Sequence, residues 1–344
     1  MIAALAASAL ALAARVRAPV AAQSAAAARK AAAEWVDVEK VVDGDTIHVR
    51  RNGRIEKLRL LSVDTEERLG PGHAGSATKP QTVFGEDCAL WAENLFAGLG
   101  KDGQPARVGL VFPGGAEKRD VYGRLLCHVL LPDGTDYNLM LVQLGKSPYF
   151  NKYGEDPLDP AAFAAAQRAA RAAKLGIWNP ATNEPKTPGA PAAKRPYAEL
   201  LAWWNARAQA VESFRHRAAS TPDRVADAED PATLERAAAA GTEVDAFGEV
   251  ERLFVEKNGD RTVLFRTSEK RDALRVVVPA EHAGEYEALD LEALTREFRQ
   301  NYAWVRGTVR RSAHGFEMRS EGPDRWRRAG PEPALPPPGS KKPG

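Results

Sequence analysis

The sequence predicts an α+β fold, mainly β, arranged as two domains, on three observations. A chain of 344 residues with 44% hydrophobic content exceeds one ordinary domain and can fill two cores. Short runs of β-branched and apolar residues, bounded by turn residues, recur in two regions, near 41–63 and 243–319. Between them the stretch PATNEPKTPGAPAAKRP, residues 180–196, has the composition of a linker.

Residues 1–30 are Ala-rich, with an apolar stretch from Ile2 to Ala14, then Arg15, Arg17 and the small run Ala18–Ala22. That stretch is too short to span a bilayer. It resembles a signal-peptide core without a basic n-region, so export to a secreted or periplasmic location is expected, with a low-complexity leader as the other reading.

Residues 41–67, VVDGDTIHVRRNGRIEKLRLLSVDTEE, read as a hairpin. Ile47 and Val49 lie on one side of Asn52-Gly53, and Ile55, Leu58, Leu60, Leu61 and Val63 on the other. Asn-Gly between two such runs is a strong hairpin signal, because both residues accept positive φ. The hairpin brings Asp45 near Asp64 and gathers Asp43, Glu66 and Glu67 beside them. Arg59 lies inside the apolar run LRLL, where an unpaired guanidinium is costly to bury. Two readings stand at this point: a site for a metal and a phosphate, or a surface hairpin with solvated acids and a snorkelling arginine.

A long loop at 68–83, rich in Gly, Ser, Thr and Pro, follows; such loops are usually functional or mobile. Phe84, Cys88, Trp91, Leu95 and Leu99 fall at helical spacing, with Gly100 as the stop. Val108–Phe112 and Gly123–Leu131 read as strands, closed by Pro132-Asp133-Gly134, and Asn138–Leu144 as a short helix. Lys146–Tyr153 mixes basic and aromatic residues, which suits base stacking and phosphate contact. Tyr149 and then Tyr153 are the candidate substrate contacts; ordinary packed tyrosines are the alternative. Asp159-Pro160 opens a helix running to Lys174, before Gly176.

Past the linker, residues 197–242 form a helical segment, with an apolar stripe of Leu200, Leu201, Trp204, Ala208, Val211 and Phe214 over 197–218. From 243 to 328 a hairpin, a third strand, a helix near Leu291–Phe298 and a closing hairpin resemble an OB-like barrel. Arg306, Arg310, Arg311 and Arg319, with Trp304 and Phe316, could line a groove for single strands, or lie on solvated strand faces. The tail from residue 329 has a disordered composition.

A net charge of +2 announces no global polyanion-binding field, so nucleic-acid contact requires local patches. Two cysteines, Cys88 and Cys127, exclude a disulfide scaffold but leave open one bridge or two buried thiols. Six scattered histidines argue against zinc.

Three segments taken together, VVDGDT, LRLLSVDTEE and DVYGR, resemble the staphylococcal nuclease (thermonuclease) family over residues 35–179. The resemblance implies an OB-fold five-stranded barrel with packed helices, and a Ca2+-dependent hydrolase of DNA and RNA that leaves 3′-phosphate ends. It implies Asp45, Asp64 and the Thr65 carbonyl as metal ligands, Arg59 and Arg124 as the groups that hold the phosphate, and Glu67 as general base. The substrate would be single-stranded or flexible nucleic acid, with no membrane partner and a monomeric chain. Glu66 departs from the family, where Pro is common, and is expected to loosen the turn that aims Glu67. Two other functions remain: a catalytically silent OB-fold nucleic-acid-binding protein, and an extracellular interaction protein with a structural Ca2+ site. The D-G-D spacing does not fit an EF-hand loop.

Overall fold

The computed structural model describes residues 20–70, 76, 78–120, 122–184, 193–267, 270–296 and 301–329. Most of the leader, and the C-terminal tail from 330, lie outside the described residues. The chain divides into two compact units, the first built from residues up to 119, 123–149 and 161–193, the second mainly from 150–160 and 194 onward.

The first unit opens with helix α1 (Val20–Ala32) and strands β1 (Glu34–Val41), β2 (Thr46–Arg51) and β3 (Arg54–Leu60). Asn52 and Gly53 join β2 to β3 at φ of 48° and 75°, the left-handed conformations that a two-residue hairpin turn requires. Then come α2 (Val83–Leu99), β4 (Arg107–Val111), the short β5 (Lys118–Arg119), β6 (Leu125–Leu130), α3 (Tyr137–Gln143) and α4 (Pro160–Ala172). The order β3-β2-β1-β4-β6 closes on itself because β6 also pairs in parallel with β3, giving a five-stranded barrel of OB type. Alternate residues of each strand point inward, so Ile47, Val49, Leu58, Leu60, Val108, Leu110, Leu125 and Val129 form the core. Each such buried Leu or Ile contributes roughly 1.5–3 kcal/mol relative to exposure. Phe96 of α2 and Tyr137, Leu141 and Val142 of α3 cover that core, and the Tyr137 hydroxyl donates to the Gly44 carbonyl at 3.0 Å. Cys88 and Cys127 are buried and unbridged, and burial pushes both thiols up to about 12. Among the described residues no helix is long and apolar enough to cross a membrane.

The linker composition misleads at its start. Asn183 is buried in the first unit, where its side-chain oxygen accepts from the Phe84 N–H at 2.9 Å. Residues 185–192 lie outside the described residues.

The second unit holds α5 (Tyr197–Ser220), β7 (Val225–Asp227), α6 (Pro231–Ala240), β8 (Glu243–Val255), β9 (Arg261–Phe265), β10 (Leu274–Val278), α7 (Leu291–Arg296), β11 (Tyr302–Thr308), β12 (Arg310–Ser312), β13 (Gly315–Arg319) and β14 (Trp326–Arg328). The region read as wholly helical thus also contains β7, which pairs in parallel with β8. The order β13-β10-β9-β8-β11 repeats that of the first barrel, including its one parallel pair, β10 with β13. No ladder is recorded between β11 and β13; a Cβ on Gly307 would lie 2.7 Å from the Met318 side chain, so these strands meet by packing. The second sheet is therefore OB-like in order.

Of the two readings of the arginines and aromatics on this sheet, the described residues do not favour an aromatic groove. Trp304 and Phe316 are buried, because large apolar rings gain more from the core than from a wet surface. Their arginine neighbours stack on them instead, with Arg217 and Arg327 each 4.7 Å from the Trp304 ring centre and Arg311 4.5 Å from that of Phe316. Arg306 pairs with Asp245 and Arg311 with Asp272.

Candidate functional site

The β2–β3 hairpin carries Arg59 opposite Thr46, and Asp45 immediately precedes β2. Asp64 and Thr65 follow β3, and the Thr65 N–H donates to Asp45 Oδ2 at 2.8 Å, tying the two segments together. Asp45, Asp64 and Thr65 are all buried. Arg59 bridges the pair: its Nη1 lies 2.6 Å from Asp45 Oδ2 and its Nη2 2.7 Å from Asp64 Oδ1. That geometry removes the reading of a surface hairpin with solvated acids. Carboxylates 19 positions apart meet on one guanidinium: the register puts Arg59 opposite Thr46, next to Asp45, and the Thr65–Asp45 bond draws in Asp64.

Lys79, which the sequence reading passed over, completes the cluster. Its Nζ lies 2.8 Å from Glu67 Oε1, 3.1 Å from Asp64 Oδ1 and 3.8 Å from Asp45 Oδ2. Burial alone would raise Asp45, but Arg59 and then Lys79 reverse this and hold the carboxyl down to about 2. Two residues away the opposite occurs. Burial first, and the Asp45 charge second, push Asp43 up to about 8.

Glu66 does the reverse of what its departure from the family suggests. It is buried, and its Oε2 accepts from the Thr82 hydroxyl and from Asn183 Nδ2, the latter at 2.9 Å. Thr82 caps α2, and its N–H donates to the Glu67 carbonyl at 3.1 Å. The turn holding Glu67 is therefore clamped to a helix start and to a segment 117 positions away. Neither partner carries a local sequence signal.

Arg124 directly precedes β6, half-buried, and the parallel register sets Leu126 against Arg59. Strand alternation puts Arg124 on the same face of the sheet as Arg59. Tyr149 is a core residue: it is 4% exposed, its ring packs 5.4 Å from that of Phe163, and its backbone bridges Val63. It offers no free ring face, which corrects its reading as a stacking contact. Tyr153 is exposed, with Phe150 edge-on at 5.8 Å, and belongs to the second unit.

Among the described residues no three His, Cys, Asp or Glu side chains stand together as a metal group. The oxygen set of Asp45, Asp64 and the Thr65 carbonyl nevertheless fits a hard cation, which takes carboxylate and carbonyl ligands and retains waters. The buried Thr65 hydroxyl beside it has no hydrogen-bond partner.

The staphylococcal nuclease homologue family model matches residues 57–180, so Asp45 precedes the matched stretch. Endonuclease YhcR of Bacillus subtilis is 33% identical over 144 residues, 41% of this chain but 11% of that protein. An uncharacterized protein of Methanocaldococcus jannaschii is 31% identical over 156 residues, 42% of this chain and 72% of its own. Thermonuclease of Staphylococcus intermedius is 29% identical over 146 residues, 41% of this chain and 74% of that protein. This chain thus spans only a small part of the first relative's length, and these matches cover less than half of this chain.

Proposed function

The chain belongs to the family of staphylococcal nuclease homologues, and from that premise we propose that its first unit is a Ca2+-dependent nuclease. It hydrolyses phosphodiester bonds of single-stranded or flexible DNA and RNA, leaving 3′-phosphate ends. The observation that carries the reading is the convergence of Asp45 and Asp64 on one half-buried guanidinium, with Glu67 beside them.

Asp45, Asp64 and the Thr65 carbonyl would hold the Ca2+, which when bound supplies positive charge for the phosphoryl oxygens. Arg59 and Arg124 present planar donors from one sheet face to the phosphate. An ammonium cannot copy that fork, so Lys is not a conservative replacement at either position. Glu67 takes the proton of the attacking water or orients that water, and the Glu66 clamp fixes where its carboxylate points. Arg59 already holds both acids, so its charge is desolvated before substrate arrives. Groups preorganised in this way typically contribute a factor on the order of 10² or more in kcat.

The test is cleavage of a single-stranded oligonucleotide by the purified full chain, with Ca2+ and with excess chelator. Activity should require Ca2+, and Asp45→Asn should lower it at least about 100-fold. Full activity in chelator, or in a folded Asp45→Asn variant, would refute the assignment.

A further inference from the structure

We propose that Lys79 is a tethered counter-cation of the catalytic carboxylates that a divalent ion must displace, so that this residue sets the metal affinity of the site. The inference rests on the metal-dependent reading above and extends it to a residue outside the ligand set.

The contacts are specific. A lysine ammonium has three donors, and here it faces three carboxylates at 2.8, 3.1 and 3.8 Å. Two of the oxygens it touches, Asp45 Oδ2 and Asp64 Oδ1, are the same atoms that Arg59 holds. Both belong to the ligand set that a hard cation would use. Three carboxylates against two cations leave the cluster one negative charge in excess. Without Lys79 the excess doubles, which suits a divalent ion but leaves the metal-free cluster repelling itself.

The two cations differ in how they are mounted. Arg59 stands on β3 with both ends of its fork engaged, whereas Lys79 reaches in from a loop on a flexible four-carbon stem. Its backbone is pinned: its N–H donates to the Ser76 carbonyl at 3.1 Å and to the Ser76 hydroxyl at 3.0 Å, and its carbonyl accepts from the Ser76 N–H at 2.9 Å. Pro80 restricts it further to extended geometry. The downstream end of the loop is fastened too, since Gln81 bonds both backbone groups of Gly70, at 3.0 and 3.2 Å. Displacement therefore needs rotation of one side chain, with the backbone bonds between Lys79 and Ser76 left in place. That is a small reorganisation, so the ammonium can exchange with a metal ion while still neutralising the acids when no metal is bound.

The experiment is Ca2+ titration calorimetry on the full chain, wild type against Lys79→Gln. The variant should bind Ca2+ more tightly, by on the order of tenfold or more. In chelator its melting temperature should fall below that of the wild type, and saturating Ca2+ should restore it. A second measurement avoids any folding defect: acylation of wild-type lysines read by mass spectrometry, in which Ca2+ should raise labelling of Lys79 severalfold. If the wild type binds Ca2+ but folded Lys79→Gln binds it no tighter, or Lys79 labelling ignores saturating Ca2+, the displacement is overturned and the nuclease reading stands. If neither protein binds Ca2+, both fall together.

Discussion

Asp43 and Asp45 sit two positions apart, both buried, and their surroundings push the two carboxyls in opposite directions. Asp45 touches Arg59 and Lys79, so its charge is matched. Asp43 feels the Asp45 charge, which Lys79 opposes in part, while its Oδ1 accepts from the Asp45 N–H at 3.0 Å. Its carboxyl is therefore pushed from the usual 3.8 up to about 8, by burial first and the Asp45 charge second. The sign for stability follows from linkage. Below pH 4 the group is protonated in both folded and unfolded chains and has no effect. Between about 4 and 8 the unfolded chain releases a proton that the fold retains, so stability falls as pH rises through that window. Asp43→Asn keeps the acceptor and removes the titration. In chelator, the variant should match wild type at pH 4 and melt higher at pH 8, by about 2–4 °C for each kcal/mol regained. Paired thermal melts decide it: an equal difference at both pH values would mean that Asp43 is ionised within the fold.

At the scale of elements, the start of α2 and the turn at 65–67 act as one piece. Thr82 caps the helix by accepting from the Gly85 N–H at 2.9 Å, and its own hydroxyl donates to Glu66. Gly85 packs so closely that an added Cβ would lie 2.0 Å from the Glu67 carbonyl oxygen. Gly85→Ala should therefore push the turn aside and lower kcat by about 100-fold, since an ångström of misplacement is enough for that. Circular dichroism should show the helix retained. Gly98, in the same helix, has nothing within 4 Å of a new Cβ, so Gly98→Ala should leave kcat unchanged and be neutral or slightly stabilising. Wild-type kcat in Gly85→Ala would show that the carbonyl gives way without moving Glu67.

The same elements show what could be read beforehand. In the first unit β2, β3, β4 and β6 and helices α2, α3 and α4 were legible because apolar spacing and the Asn52-Gly53 turn are local signals, whereas α1, β1 and β5 were not singled out. The meeting of Asp45, Asp64 and Arg59 was legible because a hairpin fixes it. The Glu66 clamp was not, because its partners Thr82 and Asn183 come from other parts of the chain. Lys79 was missed because one lysine in a loop of Gly, Ser and Pro makes no pattern. Trp304 and Phe316 left two readings open because arginines alternating with aromatics look alike on a groove and over a packed core.

For the whole molecule, the proposed nuclease reading raises the question whether cleavage would be confined to the first unit. The second sheet repeats the barrel order, and its buried acids Asp245 and Glu249 are each held by arginine. Asp245 is paired with Arg217 and Arg306, and burial, which would raise its carboxyl, is outweighed so that it stays low. Glu249 is bound by Arg207 and Asn301 and is likewise held low against burial. On its sheet the second unit keeps Trp304 and Phe316 inside, so a nucleic acid there would meet arginine charge rather than those two rings, whereas Tyr153 of the same unit is exposed. Charge-only contacts are sequence-tolerant and weaken steeply with salt. The double substitution Asp45→Asn and Asp64→Asn in the full chain separates the two roles, because Asn preserves shape while removing the anionic ligands. All Ca2+-stimulated cleavage should disappear, whereas binding to a fluorescent single strand should persist at low salt and be lost as salt rises. Circular dichroism would check that the doubly substituted chain is folded. Metal-stimulated cleavage surviving in it would place a second catalytic centre outside the first barrel. Binding that resists salt would mean that rings, and not charge, hold the strand.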